Sequence, residues 1–160
     1  MSSTNNSILA VIPARGGSKG IPRKNLRIIN NQSLIEHAVR VAQGLSCIDK
    51  VIITSDDDEI HNLAEQLGTD LSVKRPPELA SDSAKSIDAW IHAWLEAENF
   101  FNQSFKISVL LEPTSPMRTT ADVEQAVSLL LNNPAASSVA TVSKTPGHYT
   151  PHKALQINTE

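Results

Sequence analysis

The stretch Ala10–Asn25 reads AVIPARGGSKGIPRKN, in which an apolar run ends at Pro13 and leads into a loop with three glycines and four cations. Together with the residues before it, the apolar run predicts a strand over residues 7–12 that is buried on both faces of a parallel sheet. Open α/β sheets bind ligands at the carboxyl ends of their strands. A glycine-rich, cationic loop at that point therefore predicts a ligand-binding site.

This loop concentrates positive charge. No carboxylate precedes Glu36, although the whole chain has a formal net charge of −3. Gly16 and Gly17 allow backbone N–H groups to approach phosphate oxygens, while arginine and lysine supply charge and donors. The loop is therefore expected to bind a polyanion; a merely flexible, solvated basic loop is the simpler alternative, which its position at a strand end disfavours. The cations ahead of Glu36 are Arg15, Lys19, Arg23, Lys24 and Arg27.

The glycine spacing excludes two common phosphate-binding loops. A P-loop has its second glycine directly before Lys-Ser/Thr, whereas Gly20 is followed by Ile21. The dinucleotide fingerprint requires Gly-x-Gly, whereas Gly17 is followed by Ser18 and then a lysine. The loop belongs to neither class.

Apolar runs and helical patterns alternate along the rest of the chain. This order predicts an α/β fold, a doubly wound, mostly parallel sheet with flanking helices, in a single domain over residues 1–160. Residues 75–82, RPPELASD, contain too much proline for regular structure. Further strands are predicted over 50–54, 71–73, 106–111 and 137–142, and an extended segment over 154–157. Helices are predicted from Ser33 to Gly44, from Asp57 to Gly68, over 84–101 and over 121–132.

Three helices carry more specific expectations. Ser33 and Glu36 have the spacing of a capping box, and Asp57 and Asp58 suit the N-terminus of the next helix. Thr120 is expected to cap the helix that follows it. The helix over 84–101 is expected to be amphipathic and to bury five apolar side chains, which are Ile87, Trp90, Ile91, Trp94 and Leu95.

The composition narrows the functional classes. A sequence pI near 5.9 argues against general nucleic-acid binding, because the basic cluster is short. No segment approaches the ~20 apolar residues of a membrane span, and the N-terminus lacks the pattern of a signal peptide. We therefore expect a cytoplasmic protein that binds neither nucleic acid nor membrane.

Three blocks of the sequence together resemble one family. They are AVIPARGGSKGIPRKN at 10–25, RPPELASDSA at 75–84 and LLEPTSPMR at 110–118. In this order they resemble the acylneuraminate (sialic acid) cytidylyltransferases, also called CMP-sugar synthetases. The resemblance implies that CTP and a nine-carbon 2-keto sugar acid react to give a CMP-sugar and pyrophosphate, with Mg2+ as the cofactor and a homodimer as the assembly.

The resemblance also assigns roles to individual residues. Arg15 and Lys24 are the implied catalytic cations and, with Ser18, contact the triphosphate, while Asn25 contacts the nucleotide. The site is completed by three sets of residues: Gly16 and Gly17 in the phosphate loop, Arg75, Ala80 and Ser81 for cytosine and ribose, and Glu112 and Lys153 for the sugar acid.

Two departures from the family pattern affect these expectations. Family members commonly have glutamine where this chain has Glu112, so the identity of the sugar acid is open. The family chain continues past the position of Glu160 with a pair of metal-binding aspartates. We therefore expect that residues 1–160 lack a C-terminal portion, that the metal ligands lie downstream, and that this piece turns over little. The alternatives are transfer to legionaminic, pseudaminic or 3-deoxy-manno-octulosonic acid, or CTP binding without turnover.

Overall fold

The computed structural model describes residues 7–18 and 20–142. The chain divides into two compact units, residues 1–124 and 125–160, and each is described by itself. The single domain over 1–160 stays a prediction. Within the described residues, no helix is both long and apolar enough to span a bilayer.

A four-stranded parallel sheet forms the centre of the first unit. Its strand order is β5 (Leu71–Lys74), β4 (Lys50–Ser55), β1 (Ile8–Pro13) and β6 (Ile107–Leu110). Val11 of β1 is in register with Ile52 on one side and Leu110 on the other. Because β1 and β4 are central and covered by helices, their apolar residues are almost completely buried. The predicted α/β fold with a parallel sheet is confirmed.

Two helices of this unit begin as the sequence predicts. Helix α1 (Leu34–Gln43) starts with a capping box, in which Ser33 Oγ accepts from the Glu36 N–H at 3.2 Å and the Ser33 N–H donates to Glu36 Oε2 at 2.5 Å. The hydrogen bond from the Ser33 N–H, with a further contribution from the Ser33 side chain, lowers the pKa of the Glu36 carboxyl. Asp57 caps α2 (Asp58–Gln66) by accepting from the N–H groups of its first turn.

A small hairpin was missed at the sequence level. Strands β2 (Ile28–Ile29) and β3 (Gln32–Ser33) pair antiparallel around Asn30 and Asn31, whose φ values are 51° and 63°. Two asparagines with positive φ are typical of a type I′ hairpin turn. The strands are two residues long, so no alternating pattern reveals them.

The buried face of α4 (Ser86–Phe101) was predicted only in part: Trp90 and Trp94 pack against the core, whereas the three aliphatic residues do not. Ile87, Ile91 and Leu95 are 45%, 49% and 54% exposed, and the tryptophans are partly buried. The fully buried residues are the small ones, Ala89, Ala93 and Ala97. We attribute this to close packing, since a stripe of alanines lets the helix approach the sheet, which side-chain size alone does not indicate.

Two further local predictions in the first unit need correction. The proline-rich stretch after Arg75 contains a one-turn helix, α3 (Pro77–Ala80). A helix tolerates proline in its first turn, because the N–H that proline lacks has no partner there. Helix α5 (Thr120–Leu131) is capped by Thr119 and not by Thr120: Thr119 Oγ1 accepts from the Asp122 N–H at 3.3 Å, and Asp122 Oδ2 accepts from the Thr119 N–H at 2.8 Å.

In the second unit, the described residues 125–142 contain the end of α5 followed by turns. The strand predicted over 137–142 does not form. The apolar run there is only a few residues long, and such a short run does not distinguish a strand from irregular structure. The extended segment predicted at 154–157 lies outside the described residues.

Candidate active site

A cavity of about 230 Å³ opens at the carboxyl edge of the sheet, beyond the ends of β1, β5 and β6. The first turn of α4 contributes Ser86 and Ala89 to its wall. Six residues that the sequence singled out lie together here, namely Arg15, Ser18, Lys24, Asn25, Arg75 and Glu112. The other lining residues are Pro13, Pro113 and Thr114.

Several predicted site residues do not line this cavity. Gly16 and Gly17 lie in the loop next to it, and Ala80 and Ser81 contact Arg15 with their carbonyl oxygens. Lys153 lies outside the described residues. Ser86 was not predicted from the sequence, although it follows RPPELASDSA closely and starts a helix. Its hydroxyl makes it a further candidate ligand contact.

The glycine-rich loop is anchored to the acidic turn between β4 and α2. The Gly16 N–H donates to Asp56 Oδ1 at 3.0 Å. A Cβ on Gly16 would lie 2.8 Å from the Cβ of Asp57 and closer still to its Oδ2. The Gly16 N–H, predicted to face phosphate, is therefore engaged with a carboxylate, and the residue permits close packing of two chain segments.

The cations of this loop have different surroundings. Arg23 Nη2 donates to both carboxylate oxygens of Asp57 at 2.9–3.0 Å and pairs with Glu59 at 2.9 Å, and its own φ is 51°. Arg27 Nε donates to a main-chain carbonyl. Arg15 and Lys24, the predicted catalytic cations, line the cavity. The loop therefore uses Arg23 to fix its shape and presents Arg15 and Lys24 to a ligand.

Arg15 also joins the glycine-rich loop to the chain after α3. Its Nη1 donates to the carbonyl oxygens of Ala80 and Ser81 at 3.4 and 3.2 Å, and pairs with Asp82 Oδ1 at 3.0 Å. The two side chains of the ion pair are partly exposed, 33% for Arg15 and 46% for Asp82. The pair lies at the edge of the cavity.

Buried polar side chains hold the wall of the cavity in place. Asn25 is buried in a 3-10 turn, and its Nδ2 donates to the carbonyl oxygen of Arg15 at 3.0 Å. Arg75 is 6% exposed and donates to the Thr54 carbonyl at 2.9 Å through Nη2. Burial lowers the pKa of Arg75, and the nearby Asp56 carboxylate partly opposes this shift. Both residues are fixed before any ligand binds.

Glu112 lines the cavity just beyond β6, the strand that pairs with β1 at the edge of the sheet. In the turn behind it, Ser115 N–H and Arg118 Nη2 donate to the main-chain carbonyl of Glu112 at 3.3 and 3.2 Å. Within the described residues the carboxylate itself caps no part of this turn. The carboxylate does act electrostatically on the Arg118 guanidinium, so the geometry fits both a structural role and a ligand contact.

Magnesium needs oxygen ligands, and one or two carboxylates with phosphates and water are its usual set. In residues 7–18 and 20–142, no three His, Cys, Asp or Glu side chains form a group that could hold a metal ion. Asp56 accepts from Gly16 and Asp82 pairs with Arg15, so Glu112 is the carboxylate most directly placed on the cavity. These residues do not form a magnesium centre by themselves.

Comparisons with known proteins agree on one family. A family model described as Cytidylyltransferase matches residues 9–158. A CMP-N,N'-diacetyllegionaminic acid synthase from Legionella pneumophila is 34% identical over 136 residues, covering 85% of this chain and 57% of that protein. An N-acylneuraminate cytidylyltransferase from Escherichia coli is 36% identical over 125 residues, covering 76% of this chain and 28% of that protein.

A solved structure has a similar fold. It is a CMP:2-keto-3-deoxy-manno-octonic acid synthetase complexed with CTP, with a TM-score of 0.67 at 22% identity, and the match covers 81% of this chain and 49% of that one. At this identity the likeness concerns the fold alone. The chain spans about half the length of several curated relatives that it matches.

Proposed function

Because this chain belongs to the cytidylyltransferase family, we propose that it transfers CMP from CTP to a nine-carbon 2-keto sugar acid of the sialic acid type and releases pyrophosphate. The observation that supports the proposal most is the cavity itself. It combines the cations Arg15 and Lys24, the hydroxyl of Ser18 and the buried guanidinium of Arg75 at the edge where parallel sheets bind nucleotides.

The residues of the cavity suit this chemistry. In the proposed step the anomeric hydroxyl of the sugar attacks the α-phosphorus of CTP, and the bond to pyrophosphate breaks. Negative charge then increases on the phosphate oxygens, where Arg15 and Lys24 stabilise it. Fixed cations cost little reorganisation in the transition state, which is why the anchored loop supports catalysis as well as binding.

We propose the chemical class of the sugar acid and not one particular compound. The relatives from Legionella pneumophila and Escherichia coli are named for legionaminic and N-acylneuraminic acids, so the family includes more than one acceptor. Legionaminic, pseudaminic and 3-deoxy-manno-octulosonic acids remain the alternatives. The resemblance to this family adds magnesium and a homodimer to the proposal, and the composition of the sequence adds a cytoplasmic location.

The test of this proposal is nucleotide choice. We expect CTP to bind and turn over more than about tenfold better than UTP, because a site that hydrogen-bonds one base leaves its polar groups unpaired with another. Equilibrium binding of both nucleotides, combined with pyrophosphate release in the presence of a panel of sugar acids, measures the two steps separately. CTP binding without pyrophosphate release from any sugar acid would agree with the expectation that residues 1–160 turn over little and would support the alternative of CTP binding without turnover. Comparable binding or turnover of UTP would contradict the proposal.

Glu112 provides a test of the sugar side of the cavity. We expect Glu112→Gln to change the KM for the sugar acid severalfold and to leave the KM for CTP nearly unchanged, because a carboxylate at the cavity wall accepts from sugar hydroxyls and repels a sugar carboxylate. Steady-state kinetics with each substrate varied in turn measures this. A change in thermal stability alone would instead assign the carboxylate a structural role.

A further inference from the structure

We propose that Asp82 is a positioning residue for the nucleotide, which acts by holding Arg15 between the glycine-rich loop and the segment that follows α3. This inference rests on the proposed binding of CTP. It assigns a role to an acidic residue at the edge of a site that otherwise attracts an anion. Simple electrostatics predicts that removing the Asp82 charge strengthens binding of the anionic nucleotide. A positioning role predicts that it weakens binding.

The geometry of Arg15 supports this role. One nitrogen, Nη1, makes the contacts with the Ala80 and Ser81 carbonyls and with Asp82, and the two carbonyl contacts bridge 65 and 66 positions of sequence. A guanidinium has five N–H donors in a fixed fork. Nη1 is held by the segment after α3. Among the described residues, nothing accepts from Nε or Nη2, so these donors remain for a ligand in the cavity that Arg15 lines. Arg15 can therefore hold the segment and a phosphate at once.

The segment that Arg15 holds has its own internal bonds. Ser81 Oγ donates to the Glu78 carbonyl at 3.1 Å and lies 3.2 Å from Ser83 Oγ, while the Ala84 N–H donates to the Ser81 carbonyl at 3.2 Å. This turn leads directly into α4, whose first residue, Ser86, lines the cavity. The contact between Arg15 and Asp82 thus connects the phosphate side of the cavity with the wall formed by α4.

The exposure of the pair indicates that its value is positional. Partly exposed ion pairs contribute little to folding stability, and Arg15 and Asp82 are 33% and 46% exposed. Holding a long side chain in one arrangement before binding lowers the entropy cost of the ligand contact. We therefore expect loss of Asp82 to affect nucleotide affinity more than unfolding.

The experiment compares Asp82→Asn with a matched control in the same chain. Asp88→Asn removes the same charge from an exposed residue in the first turn of α4, which does not line the cavity. We expect Asp82→Asn to weaken CTP binding about threefold to tenfold, and Asp88→Asn to leave it unchanged or slightly tighter. Asp82→Glu is expected to restore part of the affinity. Isothermal titration with CTP and with cytidine, alongside thermal unfolding, gives the readouts.

A double-mutant cycle separates positioning from a local structural effect. If Asp82 acts through Arg15, Asp82→Asn has no further effect on CTP affinity in the Arg15→Ala background. A loss that persists in that background, or that is equal for CTP and cytidine, overturns the inference. So does tighter CTP binding by Asp82→Asn, which would mean that the carboxylate competes with phosphate for Arg15. Failure of the unmodified protein to bind CTP overturns the proposed function as well, whereas normal binding that is insensitive to Asp82→Asn overturns this inference alone.

Discussion

Replacement of Lys24 by alanine is expected to weaken CTP binding roughly 10- to 150-fold, corresponding to about 1.5–3 kcal/mol, and to change cytidine binding little. Lys24 lines the cavity and, among the residues the structure describes, has no carboxylate partner within ion-pair distance. Its ammonium group is therefore available to phosphate oxygens, which only the nucleotide supplies. Titration calorimetry with CTP, CMP and cytidine measures the difference.

Arg27→Ala is the matched control for Lys24→Ala. Arg27 belongs to the same cationic stretch, but it is exposed, does not line the cavity and donates to the Pro22 carbonyl. Removing its charge tests the general attraction between the basic loop and an anion, which salt screens strongly. We expect a severalfold effect at most. Equal losses of CTP and cytidine binding in Lys24→Ala would contradict the assignment of Lys24 to phosphate.

The site could be predicted from the sequence where residue type alone carries the chemistry. The order of strand, glycines and cations is local, so the sequence by itself identifies Arg15 and Lys24 as candidate phosphate-binding cations. The partners of these cations depend on the three-dimensional arrangement. Nothing in the sequence around Arg23 shows that Asp57 will neutralise it, because the two residues are 34 positions apart.

The fold, like the site, could be predicted from the sequence only in part. Buried parallel strands such as β1 and β4 are continuous apolar runs, so their place in the sequence is evident. The orientation of α4 was not predictable, because its pattern contains an aliphatic stripe (Ile87, Ile91, Leu95) and an alanine stripe (Ala89, Ala93, Ala97). The alanine stripe faces the core, with the two tryptophans packed partly buried beside it. The face with small side chains lies against the sheet, because it allows the helix to pack closer. Ser86 was missed for the same reason, since its position on the cavity depends on how α4 docks.

Gly16→Ala is expected to have a large effect on both folding and CTP binding. An added Cβ would lie 2.8 Å from the Cβ of Asp57, and backbone and side chain on both sides would have to move. Asp57 cannot shift freely, because its carboxylate also caps α2 and binds Arg23. We expect a loss of about 1–3 kcal/mol in the free energy of unfolding, which is typical of overpacking. CTP affinity is expected to fall roughly 10-fold, because a displaced loop misplaces the contacts of Arg15 and Lys24 with phosphate, each worth about 1.5–3 kcal/mol.

Gly17→Ala is the control for this prediction, since it adds the same methyl group one residue further along the same loop. A Cβ on Gly17 has no atom within 4 Å, and its φ does not lie in the left-handed region. We therefore expect Gly17→Ala to fold normally and to lose less CTP affinity than Gly16→Ala, although Gly17 is itself a predicted residue of the phosphate loop. Chemical denaturation and CTP titration of the two variants side by side give the comparison. If Gly16→Ala binds CTP as tightly as Gly17→Ala, the packing of Gly16 against Asp57 does not set the shape of the loop. The loop would then owe its shape to the Arg23 ion pairs and to the hydrogen bond from Asn25 to the Arg15 carbonyl.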